Sequence, residues 1–220
     1  MNDFNKWIKD AQKYISKCKM SLCTKHEDGR TNSSIDEDKV VELLVKKYGK
    51  DVVFVPKARK WYDIWHKPSG TPINIKVSSL AGADNACNFL SLLWCFTDYE
   101  IKHDRSANKR KDWAELLKFL TETDVTKLSV NRDYWFFVVD KNDTKNVIIN
   151  SIKQLPQPVG NPSNPPFQVN WSNNKKTCKR TLRESLDLYM SICISNIKKR
   201  QASDKLATAE KILGEIKDVK

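Results

Sequence analysis

The sequence predicts an α/β fold in which a mixed β-sheet carries helices on its faces. Three observations point there. Residues 134–140 (YWFFVVD) are aromatic and β-branched, the composition of a buried strand. Residues 62–79 break into two short strand-like runs about Gly70, with apolar and polar side chains alternating in the second. Helical spacing of apolar residues recurs on either side of these runs. The order of the core is helix, strand, strand, strand, helix, helix, strand.

The elements follow in turn. Phe4, Trp7, Ile8, Ala11, Tyr14, Ile15 and Cys18 mark one apolar face of a helix over 3–20. The polar run 24–34 predicts a loop. Ser34 or Asp36 then caps a helix over 36–48 with Val40, Val41, Leu44 and Tyr48 on its face, and Gly49 stops it. Val52–Val55 predicts a short buried strand closed by Pro56, followed by the two strands of 62–79. Residues 81–85 predict a small polar loop, and 86–97 (ACNFLSLLWCFT) a helix apolar nearly all round and hence buried. A charged loop over 100–111 leads to an amphipathic helix over 112–121. After the strand 134–140, Val147–Ile149 predicts another. The Pro- and Asn-rich run 154–166 predicts a loop, 167–171 (FQVNW) a strand, and the chain from Thr181 a helix to near the end, its last stretch charged. Trp61, Trp65 and Trp135 are expected in the core.

With 220 residues, the chain suits one domain, or one core with an appended arm. No apolar run reaches the length of a membrane span, and the amphipathic N-terminus does not read as a signal peptide. The formal net charge of +12 favours a polyanionic partner, nucleic acid first. Basic clusters fall at Lys57–Lys60, Lys102–Lys111, Lys175–Arg180 and Lys198–Arg200, at element edges or in connections. Six cysteines stand without a C-x-x-C pair, and the three histidines are scattered. That predicts reduced thiols, an intracellular (cytoplasmic) protein and no zinc site.

Chemistry concentrates at 62–79. Asn74 and Lys76, two apart on a strand, project together, while Ile73, Ile75 and Val77 project the other way into a core. Asp63 on the paired strand can bring a carboxylate to the same spot. A carboxylate, a neutral oxygen and an ammonium converging at a sheet end can hold a hard divalent cation and an attacking water. The plainer reading of an Asp and a Lys on adjacent strands is a solvated pair. Ser78 and Ser79 either donate to phosphate or cap the strand end.

The helix, three strands, helix and strand, together with Asp63 and the Asn74-Ile75-Lys76 triplet, resemble the PD-(D/E)xK nuclease core. The likeness is closest to type II restriction endonucleases with Asn in the second motif, whose pattern reads roughly PLNIKxSS; residues 72–79 here are PINIKVSS. Residues 160–164 (GNPSN) and 167–171 (FQVNW) are also similar to a segment of some of these enzymes. The likeness spans roughly 30–171. Tyr62 stands where the family has Pro, and Asn74 where an acid is usual. An amide oxygen can ligate a cation but adds no charge, which weakens metal affinity.

The resemblance implies one nuclease domain over 1–220: a restriction-endonuclease-like core over about 30–150, a DNA-recognition segment over about 155–175, and a helical C-terminal region over about 179–216. It implies Mg²⁺-dependent hydrolysis of double-stranded DNA at a short specific site. Asp63 would anchor the metal, with Asn74 and the Ile75 carbonyl as further ligands, and Lys76 would orient the attacking water. An acid from the preceding helix often joins such sites; Glu37 and Glu42 are the candidates, Glu37 the better placed, although a position in the first turn of its helix would suit the macrodipole equally. For sequence readout, Asn161, Asn164, Gln168 and Asn170 offer amides to base edges, yet Asn in a Pro-rich loop is also an ordinary turn residue. Arg30, Asn32 and Ser33 precede the core helix and are further DNA candidates. Arg180 suits a phosphate contact or plain surface. A homodimer would match a palindromic site, and the C-terminal helix suits either that interface or the core. Two other readings stay open: a repair or structure-specific nuclease on the same core, and a non-catalytic DNA-binding protein.

Overall fold

The periodicities resolve into a five-stranded sheet held between helices, in a computed structural model that describes residues 2–23, 29–57, 60–86, 89–97, 129, 131–161 and 167–199. Helices α1 (Asn2–Ile15) and α2 (Gly29–Tyr48) precede strands β1 (Val53–Phe54), β2 (Ile64–His66) and β3 (Thr71–Ser78). Then come β4 (Ala83–Asn85), α3 (Phe89–Phe96), β5 (Trp135–Asp140), β6 (Val147–Ser151), β7 (Pro158–Val159), β8 (Gln168–Asn170) and α4 (Leu182–Lys199). The main sheet runs β1-β2-β3-β5-β6, with β3 and β5 parallel and the other neighbours antiparallel. Strands β4, β8 and β7 form a separate antiparallel sheet.

Strict alternation along β3 and β5 divides the interior in two. Ile73, Ile75, Val77, Phe137 and Val139 face α1 and α2, meeting Phe4, Ile8, Ala11, Ile15, Val40 and Leu44. Phe136 and Val138 face the other way, into a layer built by Trp61, Tyr62, Trp65, α3, α4 and the small sheet. A strand buried on both faces is why 134–140 carries almost no polar residue. Among the described residues no helix is long and apolar enough to cross a membrane, and the five described cysteines are free thiols.

Several expectations need correction. Helix α2 starts at Gly29, so 29–34 is helix rather than loop, and Ser34 and Asp36 lie inside it rather than capping it. Buried Asp36 instead ties down the approach to the helix, accepting the Cys23 N–H at 2.8 Å and pairing with Lys39 at 2.8 Å. Residues 83–85 are a strand, not part of a loop, because β8 supplies a partner for their backbone. Strand β7 likewise lies within the expected loop 154–166. Trp61 and Trp65 are buried as expected, whereas Trp135 is only partly so. The expected loop over 100–111, the helix over 112–121, Cys87, Asn164 and the chain beyond 199 lie outside the described residues.

Gly49 ends α2 as expected. Its φ is +80° and its N–H donates to the Val45 carbonyl at 2.8 Å. A methyl group there would touch nothing within 4 Å, so Gly49→Ala isolates backbone strain. It should destabilise the fold by about 1 kcal/mol in urea melts.

Asp133, just before β5, accepts from Ser151 Oγ at 2.6 Å and from the Tyr134 N–H at 2.8 Å. Burial pushes its carboxyl up to about 6. Between pH of about 4, where the unfolded carboxyl titrates, and 6, the folded protein keeps a proton that the unfolded chain has released. The stability from this group is therefore complete below that window and lost as pH rises through it. Asp133→Asn should flatten that slope in urea melts recorded at pH 4.5 and 7.

Candidate active site

The site is built on a gap in the β2–β3 ladder. Three residues long, β2 pairs Ile64 with Ile73, and the last ladder bond runs from the Asp63 N–H to the Ile73 carbonyl at 3.0 Å. Strand β3 continues for five residues beyond Ile73, so among the described residues its edge past that point has no strand beside it. Backbone groups of alternate residues point to the same side of a strand. Those of Ile75 and Val77 therefore face the vacated edge, as those of Ile73 do. Side-chain carboxylates take the place of the missing strand. Asp63 Oδ2 accepts the Ile75 N–H at 2.7 Å, and the Glu37 carboxylate lies where the Val77 N–H favours its charge. By the same alternation the Ile75 carbonyl opens onto this edge, between the two acids.

Asp63 thus lies one residue outside β2, where its carboxylate can turn into the ladder. Glu37 comes from α2, which packs on β3. Because α2 begins at Gly29, Glu37 sits in its third turn, beyond the reach of the N-terminal dipole. The macrodipole explanation for Glu37 therefore falls away. Glu42, on the same helix, is exposed. Lys76 donates to Glu37 Oε1 at 3.5 Å, each side chain about one-quarter exposed (22% and 24%). Burial opposes the charge on Lys76, but the carboxylates of Glu37, Asp63 and Asp84 together hold its ammonium above the usual lysine range. Burial likewise pushes Glu37 up, only partly offset by Lys76, while Asp63 adds to the rise.

Asn74 neighbours this group on β3. It is 9% exposed, and its Oδ1 has no hydrogen-bond partner. An unpartnered buried amide oxygen costs about 1–3 kcal/mol, so the position needs a reason. Among the described residues no group of three or more His, Cys, Asp or Glu side chains is gathered for a metal. A cation here would therefore take the carboxylates of Asp63 and Glu37 together with two neutral oxygens, Asn74 Oδ1 and the Ile75 carbonyl. Four oxygen donors with two negative charges suit a hard divalent ion such as Mg²⁺, and the orphaned amide oxygen is the observation that fits it.

Asp84 is the residue that sequence reasoning misses. It lies on β4, accepts Trp171 Nε1–H at 2.8 Å and bears electrostatically on Lys76. Nothing near it in the sequence marks it, since its pairing partner Val169 is far along the chain.

The expected DNA contacts divide. Asn32 and Ser33 lie on α2; Ser33 is one turn before Glu37 and shares its face. The backbone of Arg30 belongs to the first turn of α2. Ser78 is buried and its Oγ accepts the Leu80 N–H at 3.2 Å, closing the strand end. Ser79 is exposed, and its carbonyl accepts from Asn142 at 3.4 Å. Asn170 donates to the Ala81 carbonyl at 3.0 Å and accepts the Asn173 N–H at 3.3 Å, which fixes a turn. Asn161 and Gln168 meet on the small sheet, each donating to Asn85. Arg180 donates to the Leu155 carbonyl and lines a different groove of about 1490 Å³, together with Lys9, Lys13, Lys153 and Lys176.

No protein-family model matches the chain, and no curated protein matches it.

Proposed function

We propose that the protein is a Mg²⁺-dependent endonuclease of the type II restriction class, hydrolysing phosphodiester bonds of double-stranded DNA at a short specific sequence, on a restriction-endonuclease-like version of the observed mixed sheet. The observation that carries this reading is the set of acids on the vacated edge of β3: Asp63 and Glu37 flank the Ile75 carbonyl, with Lys76 paired to Glu37 and an unpartnered Asn74 Oδ1 beside them. The net charge of +12 suits the polyanionic substrate.

Asp63, Glu37, Asn74 and the Ile75 carbonyl would hold the metal. When bound, the ion supplies Lewis acidity and lowers the pKa of a coordinated water. Lys76, kept protonated by three carboxylates, serves as an oriented cation rather than a base; it positions the water and offsets negative charge on the phosphoryl oxygens. No covalent intermediate is needed, and no cysteine takes part.

Digestion of supercoiled plasmid with Mg²⁺ tests the reading. Discrete bands that EDTA abolishes are expected. Nicks or smears would instead indicate a repair or structure-specific nuclease, and EDTA-resistant binding without cleavage a binding protein.

A further inference from the structure

The small sheet presents two unlike rows of side chains. Cross-strand pairing places Pro158, Val169 and Asp84 in one row and Val159, Gln168 and Asn85 in the next. Because side chains alternate between faces, the rows point in opposite directions. The first packs inward, with Pro158 and Val169 buried and Val169 in the core layer of Trp171. The second meets solvent: Asn85 is exposed, Gln168 partly exposed, and Val159 47% exposed.

That outer row is organised. Asn85 Oδ1 accepts from Asn161 Nδ2 at 3.0 Å and from Gln168 Nε2 at 3.3 Å. Donation into the same oxygen fixes the plane of the Gln168 carboxamide, so its carbonyl and second N–H are oriented before any partner arrives. A carboxamide edge, one donor beside one acceptor, matches N7 and N6 of adenine in the major groove. Beside the amides, Val159 is more exposed than Phe54 and Val55, the other large exposed hydrophobics among the described residues. An apolar side chain is what contacts the thymine C5-methyl, which lies on the same groove edge of an A·T pair. Strands sit about 4.8 Å apart, so the row from Val159 to Asn85 spans about 10 Å, and a narrow ribbon of strands fits a major groove about 12 Å wide. Asn85 follows directly on Asp84, the carboxylate that bears on Lys76, and its side chain lies on the opposite face of the small sheet.

We infer that Val159, Gln168 and Asn85, with Asn161 bonded to them, form a base-reading surface for an A·T pair in the major groove of duplex DNA. This inference rests on the DNA reading proposed above and identifies where that reading acquires sequence preference. Gln168 and Val159 become the specificity-determining residues, and Asn85, whose Oδ1 is taken by two donors, positions Gln168. Asn170, spent on a turn, takes no part.

The test is selection of duplexes from a randomised pool by the full wild-type chain in EDTA, followed by competition with modified copies of the enriched sequence. The enriched motif should contain an A·T pair at which N6-methyladenine lowers affinity about tenfold. Replacing its thymine by uracil should lower affinity several-fold, and Val159→Ala should remove that discrimination. Asn85→Ala, which releases the Gln168 carboxamide, should lose the preference for that base pair, its affinity for the enriched motif falling towards that for unrelated duplex. A motif indifferent to both modifications, or an Asn85→Ala variant with the wild-type motif, overturns the inference and leaves the nuclease reading intact if plasmid is still cut. A chain that retains no duplex overturns both.

Discussion

Lys76→Ala is expected to lower Mg²⁺-dependent plasmid cleavage by about 10²–10³-fold, the usual cost of removing a preorganised charge from the point where negative charge develops. Duplex binding should stay within a few-fold of wild type, because one ammonium paired to Glu37 contributes little to a surface carrying +12 overall. Asp63→Asn should behave similarly for a different reason. The amide keeps an acceptor for the Ile75 N–H, so the ladder end survives, but the negative charge that anchors the cation is gone. Time courses of supercoil loss for both variants, beside filter binding of a short duplex, would decide the matter. Wild-type cleavage by Asp63→Asn would show that this acid serves only the fold, and wild-type cleavage by Lys76→Ala that the ammonium has no part in the reaction.

The second large effect is on stability. Trp171 is fully buried, packs tilted against Phe136 with ring centroids 5.3 Å apart, and donates Nε1–H to Asp84 at 2.8 Å. It joins the small sheet to the main one. Trp171→Ala should cost about 3–5 kcal/mol, a large part of the ~5–15 kcal/mol that typically holds a domain. Trp171→Phe retains most of the packing but leaves the Asp84 carboxylate without its indole donor, at about 1–3 kcal/mol. Urea denaturation of the two variants separates packing from hydrogen bonding. A Trp171→Phe variant as stable as wild type would mean that the indole N–H contributes nothing, whereas equal losses would place the whole effect on the hydrogen bond.

Much of this was legible in the residues themselves. Alternation over 73–77 is enough to send Ile73, Ile75 and Val77 one way and Asn74 and Lys76 the other, because a period of two admits no other arrangement. The α2 stop at Gly49 follows from the same kind of local rule. What escapes sequence reasoning depends on partners far along the chain. Ala83–Asn85 is a strand only because β8 lies beside it, so Asp84 and Asn85 look like loop residues until that pairing is known. The first two turns of α2 have no apolar stripe to announce them, and Thr31–Ser34 are residues of weak helix propensity. For Glu37, proximity to Lys76 is set by how α2 lies across β3, which no spacing along the chain encodes.

The connection between β2 and β3 has a further consequence. Only a 3-10 turn over Lys67–Ser69 and Gly70, at φ +66°, joins the two strands. A single inserted residue there that slipped the pairing by one would turn every β3 side chain over. Asn74 and Lys76 would be driven under α1 and α2, and three aliphatic groups would be left at the proposed cation site. Under the proposed function, length in this turn, quite apart from its chemistry, would decide activity, and an indel there would abolish cleavage where no candidate ligand has changed.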